Sequence, residues 1–237
     1  MATSFYPIAN AVLRLVFRVT LDLKITGMEH LPPRGALIVA INHSSFLDPL
    51  LVGAYMKRDV VMMSKIENFR LPVFGWIVQA YGAFPIHRGE VDRTSLKKAL
   101  EVLRGGEILL MAPEGTRSKD GQLQTGHDGL AMLAARTAAP ILPFAIAGAK
   151  RFWKNLALLR RTRVRIAVGP SFTLPQPDGK ADRDYLAQVT DQIMLRLAEL
   201  LPPEQRGVYA ERVARRPSSS PDVFGQERGR GWGGGEA

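Results

Sequence analysis

A histidine and an aspartate lie five positions apart in residues 42–49, which read NHSSFLDP. If Asp48 accepts a hydrogen bond from one ring nitrogen of His43, it fixes the tautomer in which the other nitrogen can take a proton from an alcohol. Histidine suits this task because its ordinary pKa of about 6.5 leaves the neutral base as the main form at neutral pH. On a continuous helix the two side chains would point about 140° apart, so they meet only if the chain turns between them. The alternative is that Asp48 caps a helix before Pro49 and that His43 is an ordinary loop residue.

Two other segments place polar side chains directly after apolar runs. Residues 112–118, APEGTRS, offer a carboxylate, a hydroxyl and a guanidinium to an anionic, hydroxyl-bearing ligand, and Gly115 allows the backbone to approach closely. The three side chains are those of Glu114, Thr116 and Arg117. In residues 84–89, FPIHRG, Arg88 is in a position to bind a phosphate. Alone, the first segment also fits an ordinary turn, and Arg88 also fits a solvated surface arginine.

These segments need a scaffold that brings them to one place. The apolar run 36–41 is typical of a buried strand, and it delivers His43 at its carboxyl end. Further strands are predicted at 21–25, 108–112, 141–147 and 164–168. Further helices are predicted with Pro49 in the first turn, from an N-cap at Asp92 to Gly105-Gly106, and at 130–136 and 184–201. This alternation predicts an α/β domain with a single mixed, largely parallel sheet flanked by helices. Sites in such sheets usually lie at the carboxyl ends of strands.

The first predicted helix, residues 5 to 21, is amphipathic. Its apolar residues at helical spacing are Phe5, Ile8, Val12, Leu15, Val16 and Val19. Arg14 and Arg18 could extend their charged ends toward lipid headgroups, so we predict a helix that lies on a membrane. Packing against its own domain is the alternative. No signal peptide is evident, and no stretch reaches the roughly 18 unbroken apolar residues of a spanning helix.

The charge balance favours anionic partners. The 237 residues include 32 Lys and Arg against 22 Asp and Glu, a net charge of +10. Between Lys150 and Arg165, basic residues flank Phe152-Trp153 and the apolar run 156–159, which suits an anionic membrane, the phosphates of a ligand, or a solvated basic face. The lack of cysteine excludes a thiolate nucleophile. The four histidines show no metal-binding spacing, and no nucleic-acid-binding signature is present, so we predict neither partner.

In this order, the segments resemble the glycerolipid acyltransferase family that contains the bacterial 1-acyl-glycerol-3-phosphate acyltransferases. The likeness runs from about Gly27 to Tyr209. It comprises NHSSFLDP, the stretch MSKIENFRLPVFGWIVQAYGAFPIHRG at 63–89, APEGTRS, PILPFAIAG at 140–148 and LPPEQRGVY at 201–209. One departure lies at 123–127, LQTGH, where many members carry a basic residue just before the glycine.

The resemblance implies transfer of a fatty acyl group from acyl-CoA or acyl carrier protein to the sn-2 hydroxyl of lysophosphatidic acid, which yields phosphatidic acid for phospholipid biosynthesis. His43 would be the general base and Asp48 would orient it, with direct attack on the thioester and no cofactor. Residues implied to lie with the acceptor are Lys65, Arg88, Glu114 and Gly115, with Arg88 on its phosphate, and we extend this set to Thr116 and Arg117. The enzyme would be peripheral or monotopic on the cytoplasmic face of the cell membrane.

We expect three parts in the chain. Residues 1–21 would form the membrane-associating helix, 22–212 the acyltransferase domain, and 213–237 a disordered basic tail rich in Gly, Ser and Pro. Three alternatives stay open. The same chemistry could acylate another lysophospholipid or a lipid-linked sugar, or activate water in a thioesterase or hydrolase, and a basic binding protein without catalysis would also explain the charge.

Overall fold

The computed structural model describes residues 6–70, 75, 78, 79, 83–86, 93–175, 179 and 181–215. The strands in this part of the chain are β1 (Leu21–Thr26), β2 (Leu37–Ile41), β3 (Val60–Lys65), β4 (Phe84–Ile86), β5 (Ile108–Met111), β6 (Ile141–Ala147) and β7 (Thr162–Val168). The helices are α1 (Tyr6–Thr20), α2 (Leu47–Tyr55), α3 (Arg93–Arg104), α4 (Gly129–Thr137), α5 (Phe152–Ala157), α6 (Arg183–Leu200) and α7 (Ala210–Ala214).

The strands form one sheet in the order β1-β7-β6-β2-β5-β3-β4. β2 lies at its centre and pairs in parallel with both β5 and β6. Among the described strands only β6 and β7 pair antiparallel. The predicted fold class, a mixed and largely parallel sheet flanked by helices, is confirmed. The carboxyl ends of β2, β3, β5 and β6 share one edge of the sheet with the amino ends of β7 and β1, and we call it the carboxyl edge.

Helices cover both faces of the sheet. Residues of α3, α4 and α6 pack on one face, and residues of α1, α2 and α5 pack on the other. β2 contributes to both cores, because Ile38 and Ala40 point to the first and Leu37, Val39 and Ile41 point to the second. A strand buried on both sides needs apolar side chains at every position, which explains the unbroken apolar run in the sequence.

Helix α1 has two apolar faces. Tyr6, Ala9 and Phe17 are buried against the domain, and the Tyr6 hydroxyl accepts a hydrogen bond from the Val60 amide at 3.1 Å. The opposite face leaves Ile8, Val12, Leu15, Val16 and Val19 exposed by 43–67%. Packing on the domain and lying on a membrane are therefore compatible for this helix. One face packs on the domain, and the apolar residues identified in the sequence remain exposed on the other. Across the described ranges, no helix combines the length and the apolar character needed to cross a bilayer.

Some elements differ from the sequence-based prediction. β3, β4, α5 and α7 were not predicted. The helix predicted to carry Pro49 in its first turn is confirmed as α2, which begins at Leu47. The predicted helix after Asp92 is α3, whereas Asp92 and Phe5 lie outside the described residues. Residues 216–237, most of the predicted tail, also lie outside them.

Candidate active site

Asn42 ends the central strand and allows the chain to turn. Its side-chain amide donates to the Ile146 carbonyl at 2.9 Å, and its side-chain oxygen accepts from the Ile146 amide at 2.7 Å. The two hydrogen bonds of this side chain thus replace the next main-chain hydrogen bonds between β2 and β6. Because the ladder stops here, the following residue, His43, can leave the plane of the sheet at the carboxyl edge.

The turn after β2 brings His43 and Asp48 together. Nδ1 of His43 lies 3.2 Å from Oδ2 of Asp48. The same oxygen accepts the amides of Ser44 at 2.7 Å and Ser45 at 2.6 Å. These donors precede Asp48 in the chain, whereas a helix cap accepts amides that follow it. Asp48 therefore holds the turn that presents His43, and the capping alternative does not apply.

The Asp48 carboxylate is desolvated. The residue is fully buried, while 13% of the His43 side chain is exposed. Burial raises the pKa of the Asp48 carboxyl, and the hydrogen bonds from His43, Ser45 and Ser44 oppose this rise. Among the described residues, Oδ1 of Asp48 has no hydrogen-bond partner. A buried carboxylate in this situation gains most from a positive charge on its neighbour, which would be a protonated His43.

Glu114 holds the backbone of His43. Its Oε1 accepts the His43 amide at 2.6 Å, and its Oε2 accepts the Gln124 amide at 2.9 Å. The Ser118 amide donates to the His43 carbonyl at 2.8 Å, so the segment after β5 binds both main-chain groups of the histidine. Glu114 is only 3% exposed, and burial raises the pKa of its carboxyl. In this geometry Glu114 positions His43, which differs from the acceptor contact implied by the resemblance.

We expect Glu114→Gln to lower both stability and transfer. A glutamine has one acceptor oxygen, so its NH₂ group would face either the His43 amide or the Gln124 amide, donor against donor. An unsatisfied buried amide costs about 1–3 kcal/mol. Chemical denaturation and turnover would be measured side by side. Glu107→Gln, at a partly exposed position on the opposite edge, is the matched control, and equal stability of both variants would contradict the positioning role.

An apolar cavity of about 120 Å³ lies beside His43. Its wall includes Met62, Met63 and Met111 together with Gly115. Gly115 has φ +67°, and a Cβ there would lie 3.1 Å from Cδ2 of His127. A side chain at position 115 would therefore be strained and would press on His127. Methionine side chains adapt to flexible apolar ligands, so the cavity can accommodate part of an alkyl chain.

The other predicted site residues are Lys65, Arg88, Thr116 and Arg117. Thr116 and Arg117 are exposed on the segment after β5. Lys65 ends β3 and forms an ion pair with Glu67 at 3.0 Å. Arg88 lies outside the described residues. The structure thus brings His43, Asp48, Glu114 and Gly115 together.

Sequence reasoning missed the contributions of Asn42, Ser118 and Gln124. An asparagine directly after a buried strand was a usable signal for Asn42, since its side chain can imitate a main-chain pair. Ser118 acts through its main-chain amide, which every residue except proline has, so its identity carries no signal. Gln124 donates to Glu114 through its main-chain amide at 2.9 Å and through its side-chain Nε2 at 3.4 Å. Among the described residues, no group of three or more His, Asp or Glu side chains is arranged to hold a metal ion.

Comparison with known proteins identifies relatives of the chain. A chloroplastic 1-acyl-sn-glycerol-3-phosphate acyltransferase of Brassica napus is 35% identical over 129 residues, which cover 52% of this chain and 37% of that protein. The 1-acyl-sn-glycerol-3-phosphate acyltransferase of Bacillus subtilis (strain 168) is 26% identical over 194 residues, which cover 81% of this chain and 94% of that protein. The match therefore spans less than half of the plant relative and nearly all of the bacterial one.

A solved structure supports the fold independently. The crystal structure of the 1-acyl-sn-glycerophosphate (LPA) acyltransferase of Thermotoga maritima aligns with a TM-score of 0.63 at 22% identity, and the alignment covers 90% of this chain and 81% of that chain. The model of the Acyltransferase family matches residues 22–147, which include His43, Asp48 and Glu114. Because this match covers more than half of the 237 residues, the protein belongs to the acyltransferase family.

Proposed function

We propose that this protein transfers a fatty acyl group from a thioester to the sn-2 hydroxyl of lysophosphatidic acid and releases phosphatidic acid. The single observation that carries the chemistry is the pairing of His43 with a buried Asp48 beside an apolar cavity. The acceptor is inferred from the names of the plant and bacterial relatives. The donor is acyl-CoA or acyl carrier protein, and no cofactor takes part.

In the proposed mechanism His43 is the general base. Its Nδ1 donates to Asp48, so Nε2 takes the proton of the acceptor hydroxyl while the hydroxyl oxygen forms a bond to the thioester carbonyl carbon. The C–S bond then breaks, and the proton passes from His43 to the leaving sulfur. The desolvated Asp48 carboxylate stabilises the imidazolium formed in between. Direct transfer agrees with the absence of cysteine from the chain.

The cavity at His43 supports a lipid substrate. Its apolar wall would hold the first carbons of the acyl chain and exclude water from the reacting carbonyl. Arg88, Thr116, Arg117 and Lys65 remain proposed contacts of the acceptor. The exposed loop residues Thr116 and Arg117 are free to meet a phosphate headgroup at the carboxyl edge.

Both the acceptor and the product are lipids, so we propose that the enzyme works at a membrane surface. Residues 1–21 would attach it through the exposed row of α1. The catalytic domain would extend from 22 to the end of α7, slightly beyond the expected boundary at 212, and 216–237 would be a disordered tail. The net charge of +10 favours an anionic surface. The cytoplasmic face of the cell membrane fits a peripheral or monotopic enzyme that meets a soluble thioester donor.

We expect Val12→Ser with Leu15→Ser to weaken binding to anionic liposomes by about tenfold or more, because two exposed apolar side chains leave the lipid. Liposome co-sedimentation measures this. Deleting residues 1–20 is a poorer test, since it would also remove the buried Phe17 and Tyr6 from the core. The matched control is Phe17→Ala, which changes the buried face of α1 and leaves its exposed apolar row unchanged. It should lower the free energy of unfolding by about 3–5 kcal/mol. Unchanged liposome binding by the serine variant would make α1 a purely structural helix.

The proposed reaction is tested by supplying purified protein with a palmitoyl or oleoyl thioester and a panel of acceptors. The panel contains lysophosphatidic acid, lysophosphatidylcholine, lysophosphatidylethanolamine and monoacylglycerol, which lacks the phosphate. Phosphatidic acid formed only with the first acceptor supports the full proposal. Transfer to another acceptor keeps the mechanism and replaces the substrate. Release of free fatty acid at the same rate without acceptor would make the protein a thioesterase.

A further inference from the structure

The connection between β6 and β7 carries an apolar tip at the carboxyl edge. Phe152 is buried and fixes the start of α5, and the Trp153 ring packs edge-on against it with 5.1 Å between the ring centroids. Beyond this anchor the side chains turn to solvent. Trp153 is 61% exposed, Leu156 38%, Leu158 53% and Leu159 94%. We refer to these four residues as the apolar tip.

Leu159 is unfavourable in water for two reasons. Its φ of +52° lies in the left-handed region, which disfavours a residue with a Cβ, and its side chain is almost fully hydrated. The conformation is fixed by hydrogen bonds from the Leu159 amide to the Leu156 carbonyl at 3.0 Å and from the Arg160 amide to the Asn155 carbonyl at 2.8 Å. A glycine would satisfy the same turn without either cost. Contact of Leu159 with an apolar phase would remove the hydration cost of its side chain.

Positive charge surrounds the tip. All charged residues from 148 to 163 are basic, namely Lys150, Arg151, Lys154, Arg160, Arg161 and Arg163. Leucine and tryptophan next to a cluster of lysine and arginine fit an anionic lipid surface, where the apolar side chains enter the acyl region and the cations meet the headgroups.

The tip also lies next to α1. A guanidinium nitrogen of Arg161 donates to the carbonyl of Arg18 at 3.1 Å and also to the carbonyl of Leu21. This contact joins the end of the connection to the end of α1, where Val16 and Val19 are exposed. The two apolar segments therefore border the same side of the carboxyl edge.

We propose that the apolar tip is a second membrane anchor, which inserts into an anionic bilayer and, together with α1, turns the edge that carries His43 toward the lipid. The inference rests on the proposed function, because a lipid acceptor then reaches the base from the bilayer. The phosphates of a soluble donor are the competing occupant, since the basic residues Lys150, Arg151 and Arg160 line a cleft of about 740 Å³ beside the tip. The same cleft is also lined by the carboxylates of Asp22, Asp120 and Glu204. The exposed leucines of the tip favour the bilayer, because they offer nothing to a phosphate.

The insertion is tested with the fluorescence of Trp153 in the full chain. The chain has three tryptophans, so Trp76→Phe with Trp232→Phe leaves Trp153 as the reporter. Vesicles contain equal parts of phosphatidylcholine and phosphatidylglycerol with brominated acyl chains, and no acyl donor is added. We expect the Trp153 fluorescence to be quenched and its emission maximum to shift to the blue with these vesicles. We expect little change with vesicles of brominated phosphatidylcholine alone. Binding of the protein without quenching of Trp153 would overturn the proposal.

A pair of glycine variants separates membrane contact from stability. Ala138 also has φ +52° and is exposed, but it lies before β6 at the opposite edge of the sheet. Leu159→Gly and Ala138→Gly should both maintain or raise thermal stability, because each relieves a left-handed residue. Only Leu159→Gly should weaken vesicle binding, by about tenfold.

The remaining outcomes decide between occupants. Equal vesicle binding by both glycine variants would show that the tip is not an anchor. A raised KM for acyl-CoA in Leu159→Gly, with vesicle binding unchanged, would assign the tip to the donor and refute the membrane anchor. Vesicle binding is measured without turnover, so it tests the anchor independently of the reaction. If binding depends on the tip but the protein transfers no acyl group, the proposed reaction is refuted and the anchor is retained.

Discussion

His43→Ala is expected to lower acyl transfer by about 10²–10⁴-fold while the protein stays folded. The rate falls because the acceptor hydroxyl loses the group that takes its proton. The fold survives because the protein holds His43 mainly by its backbone, through Glu114 at the amide and Ser118 at the carbonyl. Alanine keeps both of these main-chain bonds. Initial rates at saturating thioester, together with circular dichroism and thermal denaturation, measure the two effects.

The matched control for this variant is His30→Ala. His30 is also partly buried, and its Nδ1 lies 2.9 Å from the carbonyl of Val168, at the opposite end of β7 from the carboxyl edge. We expect this control to transfer acyl groups at nearly the rate of the unmodified protein. Near-normal turnover by His43→Ala would remove His43 from the mechanism, and an equal loss in both variants would trace the effect to folding.

Asp48→Asn and Asp48→Ala should both lower transfer by about 10²–10⁴-fold, yet they should differ in stability. Neither variant can stabilise a positive charge on His43. The asparagine oxygen can still accept the amides of Ser44 and Ser45, whereas alanine leaves both amides without an acceptor. Each lost acceptor costs about 1–3 kcal/mol. Rates and unfolding free energies of the two variants, measured in parallel, therefore separate the electrostatic effect of Asp48 from its support of the turn.

The difference in stability between Asp48→Asn and the unmodified protein should also depend on pH in a defined direction. Burial raises the pKa of the Asp48 carboxyl above its value in the unfolded chain. Its contribution to folding is therefore fully present below the ordinary aspartate pKa of about 3.9 and is lost as pH rises through the raised pKa. Asparagine does not titrate. Urea denaturation over this range should show the variant gaining stability relative to the unmodified protein as pH rises, and the opposite slope would contradict the burial effect.

The sequence predicts the central part of the fold because β2 is buried on both faces. Its unbroken apolar run is a strong signal of a buried strand, and it places His43 just after the end of that strand. β3 was harder to predict because two of its six residues are methionines, which also favour helices, and β4 has only three residues. The pattern of α1 shows apolar residues at helical spacing, but periodicity alone does not decide which apolar face meets the domain.

The site was predictable only as far as side-chain chemistry defines it. The pairing of His43 with Asp48 follows from their types once a turn separates them. The partners of Glu114 do not follow from residue types, because each of its oxygens accepts a main-chain amide. Main-chain donors have no signature in the sequence. A buried carboxylate and a substrate-binding carboxylate look the same in a motif, and only burial separates them.

The attachment of His43 to the segment after β5 limits how this enzyme can be redesigned. Glu114 and Ser118 fix the base, whereas Thr116 and Arg117 lie between them and face solvent. Insertions or deletions in this segment would displace the base along with the exposed residues between its two anchors. Libraries aimed at other acceptors should therefore vary positions 116 and 117 at constant loop length and leave the two anchoring residues unchanged.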